Sequence, residues 1–328
     1  MTTKKIISSL FTDLFAKISN ARFKILFSHI KKLRKKLLTQ FISLKLDLED
    51  KDTTILLDLN DKGITKELLY GRMREKKNVS YLIDILKKNN FDAIIDIGAN
   101  IGFFVLVESS YYDGNIVAIE PVKRNFNILM SNIYLNHLEK RIVPLKLAIG
   151  DEDKTSEIYV PDQGNWSSLI KNSQKSEKYS SEKVNIMKLA TLFNKFKLPK
   201  ENLLLRCDIE GFEYNLIKGN KEFFKELKNV YLVIEFHTHI LKENKSLEFL
   251  NLAEDIGFKP VKVIVDRPYY IYLLPKFLHK LANKIVEWKI KGKWLKNEKT
   301  KAVSYNDLRE SIIKRKKIKA PHLYFYKK

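Results

Sequence analysis

Apolar residues over the first forty positions recur at spacings of three and four: Ile6, Ile7, Leu10, Phe11, Leu14, Phe15 and Ile18, then Leu26, Ile30, Leu33 and Leu37. That period predicts helix over residues 4–42. From Ile42 to Asp61 the pattern changes to alternation, with Leu44, Leu46 and Leu48 on one side of the polar turn Glu49-Asp50-Lys51-Asp52 and Ile55, Leu57 and Leu59 on the other, which predicts a hairpin. A helical segment follows from about Glu67 to Asn89. From Ala93 onward, short apolar strands alternate with helix-length segments, at 93–97, 116–120, 142–148, 202–207, 229–235, 261–266 and 321–327. Strand and helix in alternation predict an α/β fold built on a parallel sheet with helices on both faces. The chain therefore divides into an extension over residues 1–62 and a main domain over 63–328.

Composition narrows what such a chain does. With 328 residues, 45 % of them apolar, there is ample material for a buried core of one or two domains. The longest run free of charge, Asn125 to Leu138, has 14 residues and four asparagines, and a membrane span needs about 20 mostly apolar residues. A single cysteine, Cys207, forms neither an intramolecular disulfide nor a multi-thiolate metal site, and no apolar signal region follows Met1. These features favour the cytosolic side of a membrane.

The net charge of +22 belongs to two segments. Residues 1–45 hold 11 Lys and Arg against one acid, Asp13, and residues 276–319 hold 15 against four, leaving 35 basic and 34 acidic side chains in the remainder. The body is nearly neutral, and the basic attachments need their own account. In the first, the apolar stripe is backed by the run Lys31-Lys32-Leu33-Arg34-Lys35-Lys36; the second, an insertion before the last strand, sets Leu278, Leu281, Ile285, Trp288 and Trp294 among six lysines. Basic amphipathic elements with tryptophan suit an anionic membrane surface, which places the protein peripherally at its inner face. They equally suit RNA, although no RNA-recognition motif accompanies them, or a helix packed on its own domain with a solvated basic face.

Glycine is scarce, 11 in 328 residues, yet two fall within Asp96-Ile97-Gly98-Ala99-Asn100-Ile101-Gly102, between an apolar strand and the helical run from Phe103. A glycine turn there lets backbone approach a ligand and aims helix amides at it. A third glycine at dinucleotide-binding spacing and a Gly-Lys-Ser/Thr are both missing, so neither of those phosphate sites fits. Glu120 ends the next strand, where an acid can accept both hydroxyls of a ribose or can simply cap the turn before Pro121.

Five segments carry a resemblance: DIGANIG from Asp96, IVAIEP over Ile116 to Pro121, NFNILMSNIYLN over Asn125 to Asn136, AIGD over Ala148 to Asp151, and LLRCDIEGFE over Leu204 to Glu213. In order and spacing they resemble the FkbM-type family of S-adenosylmethionine-dependent methyltransferases, over roughly residues 90–265. The resemblance implies a class I methyltransferase sheet of seven strands, the last antiparallel, binding S-adenosylmethionine (AdoMet) over its first two strands. It places Gly98, Asn100 and Gly102, in the turn that Asp96 opens, near the methionine part, Glu120 on the ribose, and Ala148 to Asp151 beside the adenine. Trp166-Ser167-Ser168-Leu169 resembles a segment that the family places near its site, or is an ordinary surface loop. Leu189-Ala190-Thr191 departs from the Leu-Asp that relatives often carry before the helix leading to the fourth strand.

On the acceptor side, Asp208 and Glu210 follow strand 202–207, and Glu235 and His237 follow strand 229–235, so all four can share the rim where α/β sheets bind ligands. Asp208, Glu210 and His237 are the candidate catalytic residues, since methyl transfer to a hydroxyl needs the acceptor held in line and a base for its proton. Other roles fit these residue types: a helix start after Gly211, with Glu213 capping its first turn, a satisfied histidine, or a Mg2+ site. The expectation is O-methylation of a sugar, glycan or lipid-linked metabolite. The alternatives are an RNA methyltransferase that uses the basic attachments, and an AdoMet-binding protein without turnover.

Overall fold

The computed structural model describes residues 40–61, 63–71, 73–161, 179–266, 303–314 and 320–328. The basic helix expected over residues 4–42, apart from its last three positions, the Trp166 to Leu169 segment and most of the basic insertion at 276–319 lie outside these residues. In chain order the elements are β1 (Phe41–Lys45), β2 (Thr54–Asp58), α1 (Ile64–Gly71), α2 (Lys76–Lys88), β3 (Ala93–Ile97), α3 (Phe103–Tyr111), β4 (Asn115–Ile119), α4 (Lys123–Leu135), β5 (Ile142–Leu145), β6 (Ala148–Ile149) and β7 (Lys154–Pro161). They continue with β8 (Tyr179–Met187), α5 (Leu189–Phe196), β9 (Glu201–Cys207), α6 (Glu213–Gly219), α7 (Lys221–Glu226), β10 (Lys228–Glu235), α8 (Thr238–Ile256), β11 (Lys259–Ile264), α9 (Tyr305–Lys314) and β12 (His322–Lys327). None of the described helices is long and apolar enough to cross a membrane.

Seven strands form the central sheet in the order β11-β12-β10-β9-β3-β4-β5. From β10 to β5 every pairing is parallel, and β12 runs antiparallel between β10 and β11. This is the class I methyltransferase sheet that the resemblance implied. The strand order reverses between β3 and β9, and a crevice at such a switch point, outside the carboxyl ends of the strands, is where open α/β sheets bind ligands.

Both faces of the sheet are buried, which is why its strands read as near-continuous apolar runs. Ile95, Ile97, Val117, Ile119, Leu203 and Leu205 face Leu192, Phe193, Leu216, Phe224 and Phe249 from α5 to α8. Ile94, Ile116, Ala118 and Leu204 face α2, α3 and α4 on the other side, together with Ile55 and Leu57 of the β1–β2 hairpin. An asparagine of α4 and the one that caps its end stitch that hairpin to the domain. Asn132 accepts from the Leu56 amide at 2.6 Å and donates to the Ile101 carbonyl at 2.7 Å, and Asn136 accepts from the Thr54 amide at 2.9 Å and donates to its carbonyl at 2.7 Å. Asn132 and Asn136 of the asparagine-rich motif thus do backbone pairing at a strand edge.

Four expectations are corrected. Phe41 and Ile42, read as the end of a helix, lie in β1. The single helix expected over 67–89 is two, α1 and α2, because Glu75 turns the chain with a left-handed φ of 48°. The strand expected over 142–148 ends at Leu145. There the Leu147 amide donates to the Leu145 carbonyl at 3.1 Å, a tight turn that carries Ala148 and Ile149 into a second sheet of order β6-β8-β7. The antiparallel pair β7–β8 was not anticipated at all. Among its described side chains it buries Ile158, Val184 and Ile186, with exposed polar side chains between them, too few apolar positions to stand out as alternation.

Candidate active site

The donor side of the crevice is made by backbone turns. After β3 the chain passes through three left-handed residues, Gly98 (φ 85°), Asn100 (φ 53°) and Gly102 (φ 90°). At Gly98 a Cβ would stand 1.9 Å from the Asp208 carbonyl oxygen, so glycine is required by the neighbouring strand end and not only by a ligand. At Gly102 a Cβ would stand 2.7 Å from Leu129 Cδ1, which makes that glycine a helix-packing residue outside the crevice lining. Glu120, 3 % exposed, accepts from the Asn100 amide at 2.8 Å, the Val122 amide at 3.0 Å and Asn125 Nδ2 at 3.4 Å. Burial pushes its carboxyl up to about 7, against the lowering effect of those three hydrogen bonds.

Gly98, Asn100, Glu120 and Ala148 line one cleft with Asp208 and Glu210. Apolar walls from Ile119, Pro121, Ile149 and Phe212 complete it. Apolar walls with a few convergent polar groups are the character of a small-molecule site. Asp96 does not reach the cleft. It is fully buried, and the β3–β9 register sets it beside Arg206, whose Nη1 donates to it at 2.8 Å. Arg206 also lies 3.4 Å from Asp208 Oδ2, and its guanidinium carbon sits 3.7 Å above the Phe104 ring. Burial raises the Asp96 carboxyl, and the guanidinium works against that. Arg206 therefore connects the floor beneath the donor turn to the acceptor side.

The acceptor side is made by side chains. The loop after β9 carries two consecutive left-handed residues, Glu210 (φ 47°) and Gly211 (φ 93°). It delivers Glu210 to one nitrogen of the His237 ring and Glu213 to the other, with Nε2 3.2 Å from Glu210 and Nδ1 2.6 Å from Glu213. Glu235 lies 3.9 Å from Nε2. Burial raises Glu210 to about 7 and Glu235 to about 8. Burial disfavours the charged His237 ring, yet Glu213 and Glu210 outweigh it and hold the imidazole well above its ordinary value. A second ionic cluster adjoins this one across the β10–β12 register, which pairs Glu235 with His322. His322 Nε2 is 3.2 Å from Glu75, which also pairs with Arg74.

Asp208, Glu210 and His237 are thus brought together, with one donor-capable atom of each within 4.8 Å of the others, as are those of Glu75, Glu235 and His322. In the first group both ring nitrogens face carboxylates, Nδ1 towards Glu213 and Nε2 towards Glu210, an arrangement that an ion-paired imidazolium satisfies. Sequence reasoning missed Arg206, although a lone arginine in the apolar run Leu203-Leu204-Leu205-Arg206-Cys207 is a signal in itself. It read Glu213 only as a cap for the helix start. The cap exists, since Glu213 accepts from the Gly211 amide at 3.0 Å, but the same oxygen holds His237. At Leu189-Ala190-Thr191, where the family pattern is broken, Asp153 accepts from the Lys188 amide at 2.7 Å and from Thr191 Oγ1 at 2.6 Å, supplying the helix start with an acid from another segment.

A family model, the methyltransferase FkbM domain, matches residues 96–260. That is half of the chain, and the chain belongs to this family of methyltransferases. No curated protein matches it. Among solved structures it is similar to the methyltransferase FkbM of Methylobacillus flagellatus KT, at 15 % identity and a TM-score of 0.32, covering 74 % of this chain and 45 % of that one. It is also similar to Aeropyrum pernix fibrillarin in complex with S-adenosyl-L-methionine, at 11 % identity and a TM-score of 0.38, covering 77 % of this chain and 74 % of that one. Geranyl diphosphate C-methyltransferase from Streptomyces coelicolor matches at 9 % identity and a TM-score of 0.41, covering 80 % of this chain and 82 % of that one.

Proposed function

We propose that this methyltransferase uses AdoMet to methylate a hydroxyl group of a sugar, glycan or lipid-linked metabolite. The observation that carries the reading is one cleft lined both by the buried Glu120 beside the Gly98 turn and by Asp208 and Glu210. The donor-side residues fit AdoMet by their chemistry. Glu120 holds two backbone amides and keeps lone pairs for ribose hydroxyls, Ala148 and Ile149 offer a flat apolar wall for adenine, and the Asn100 and Gly98 turn suits the amino-acid part. When bound, AdoMet supplies an electrophilic methyl group whose sulfur keeps the C–S electron pair as the acceptor oxygen forms the new bond. Asp208 and Glu210 orient that oxygen, and Glu210, near 7, takes the hydroxyl proton.

The test is transfer of labelled methyl from AdoMet by the full-length protein into cell extracts fractionated into glycans, lipids and RNA. The expected product is label in glycan or lipid, stable to alkali as an ether is; label in RNA would establish the nucleic-acid reading instead. Asp208→Asn should keep AdoMet affinity within several-fold and lower turnover by about two orders of magnitude, as removal of an orienting or proton-accepting carboxylate does. The basic segments at 1–45 and 276–319 we assign to an anionic lipid surface. Salt-sensitive sedimentation with phosphatidylserine vesicles, and none with neutral ones, is the expected result.

A further inference from the structure

We propose that Glu213 is a positioning residue of the active site: it locks the His237 ring with a proton on each nitrogen, so that the ring in turn clamps the Glu210 carboxylate at the cleft. This rests on the methyl-transfer reading above and identifies what sets the proton acceptor within it.

A neutral imidazole has one N–H and one lone pair, so it cannot donate to carboxylates on both sides. Here Nδ1 is 2.6 Å from Glu213 and Nε2 3.2 Å from Glu210. Glu213 is fully buried, and among the described residues His237 is the one cation-capable group bonded to it. Burying a carboxylate is costly without a charged partner, and a glutamine would cap the Gly211 turn as well. What glutamine cannot do is hold a second proton on the ring. The backbone that carries the ring is fixed too, because the His237 carbonyl accepts from the Ile240 and Leu241 amides at 2.9 and 3.0 Å. The loop is fixed by its two left-handed residues, and at Gly211 a Cβ would strike Ile240 at 2.3 Å.

The charges facing this pair are Glu213, Glu210 and Glu235 around the ring, with the His239 ring 5.9 Å away, and Asp208, Glu213 and the Arg74 guanidinium around Glu210. Asp208 and Glu213 disfavour ionisation of Glu210, and His237 is the nearest group that favours it. Neutralising Glu213 would therefore loosen the ring proton, and with it the clamp on Glu210, while also lifting its own repulsion of that carboxylate. A residue that served only to start α6 would leave the ring's titration unchanged.

The full-length protein, labelled with ¹⁵N at histidine, allows imidazole protonation to be followed by NMR across pH, with His237→Gln assigning the signal. In the wild type, His237 should be doubly protonated at about pH 8, where an ordinary imidazole is neutral. Glu213→Gln should shift its titration down by at least about one pH unit, a tenfold weaker proton affinity, and Glu213→Asp should restore most of it. A wild-type ring already neutral at that pH, a titration unmoved by Glu213→Gln, or loss of the ring proton on adding Mg2+ would each overturn the proposal. Should Glu213→Gln not fold, Glu210→Gln takes its place with the same expected direction, and an unmoved titration there counts against the clamp. AdoMet calorimetry on the same samples keeps the two claims apart. Wild type that binds no AdoMet defeats the methyl-transfer reading, whereas the ring titration alone decides the role of Glu213.

Discussion

Glu120 and Asp208 stand just beyond strands that flank β3 on either side, and they line the same cleft, yet they are held in opposite ways. Around Glu120 the partners are backbone amides and one asparagine, and among the described residues no cation is bonded to the carboxylate. Around Asp208 the partners are charged side chains drawn from separated segments: Arg206 directly, then His237 with Glu210 and Glu213, then Glu235, His322 and Glu75. A carboxylate held by turns can gain or lose its proton with little rearrangement, and that suits a group whose partner arrives with the cofactor. Each member of an ionic network depends on the others, and removing one leaves the rest buried without a counter-charge.

Breaking the network should have the largest effect. Arg206→Leu strands both Asp96 and Asp208, and a loss of about 3–5 kcal/mol in urea unfolding is expected. Adding Asp96→Asn should recover a large part of it. Full additivity of the two single changes would mean that the pair is not coupled. Next comes the point where the two regions touch. Gly98→Ala places a Cβ on the Asp208 carbonyl and strains a left-handed residue, so about 2–3 kcal/mol of stability should be lost even without AdoMet present. Wild-type stability with weakened AdoMet binding would show instead that Gly98 serves the ligand alone.

The same contrast explains what could be read from sequence. The donor turn over Asp96 to Gly102 and Glu120 lie within 25 consecutive residues, because a site built from backbone turns is encoded where the chain turns. The seven strands were legible for a related reason, since burial on both faces writes an apolar run into each. On the acceptor side Asp208 and Glu210 were visible because they share a motif, but His322, Arg74 and Glu75 meet Glu235 only through the antiparallel β12 and the loop before α2. No spacing in one sequence records such a meeting. Gly98 shows a subtler limit: the glycine was visible, but the carbonyl that requires it belongs to a strand end 110 residues away.

Smaller effects concern protonation of Glu120. Burial lifts its carboxyl from an ordinary 4.5 to about 7, so between those values the folded protein keeps a proton that the unfolded chain releases. This group's contribution to stability is therefore greatest below about pH 4.5 and declines as the pH rises towards 7. Glu210 and Glu235, raised in the same way, share in the decline, so a thermal unfolding series should show it in the wild type and a shallower one in Glu120→Gln.

Ligand binding runs in the other direction, because the ionised carboxylate is the form that accepts both ribose hydroxyls. Calorimetric titration with AdoMet at pH 8 and pH 6, on the wild type and on Glu120→Gln, tests the central claim most directly. The account expects wild-type affinity to fall by about tenfold between pH 8 and pH 6, and Glu120→Gln to bind more weakly at pH 8 with little change between the two. Wild-type affinity that does not change with pH, or a Gln variant that matches the wild type at pH 8, would contradict it.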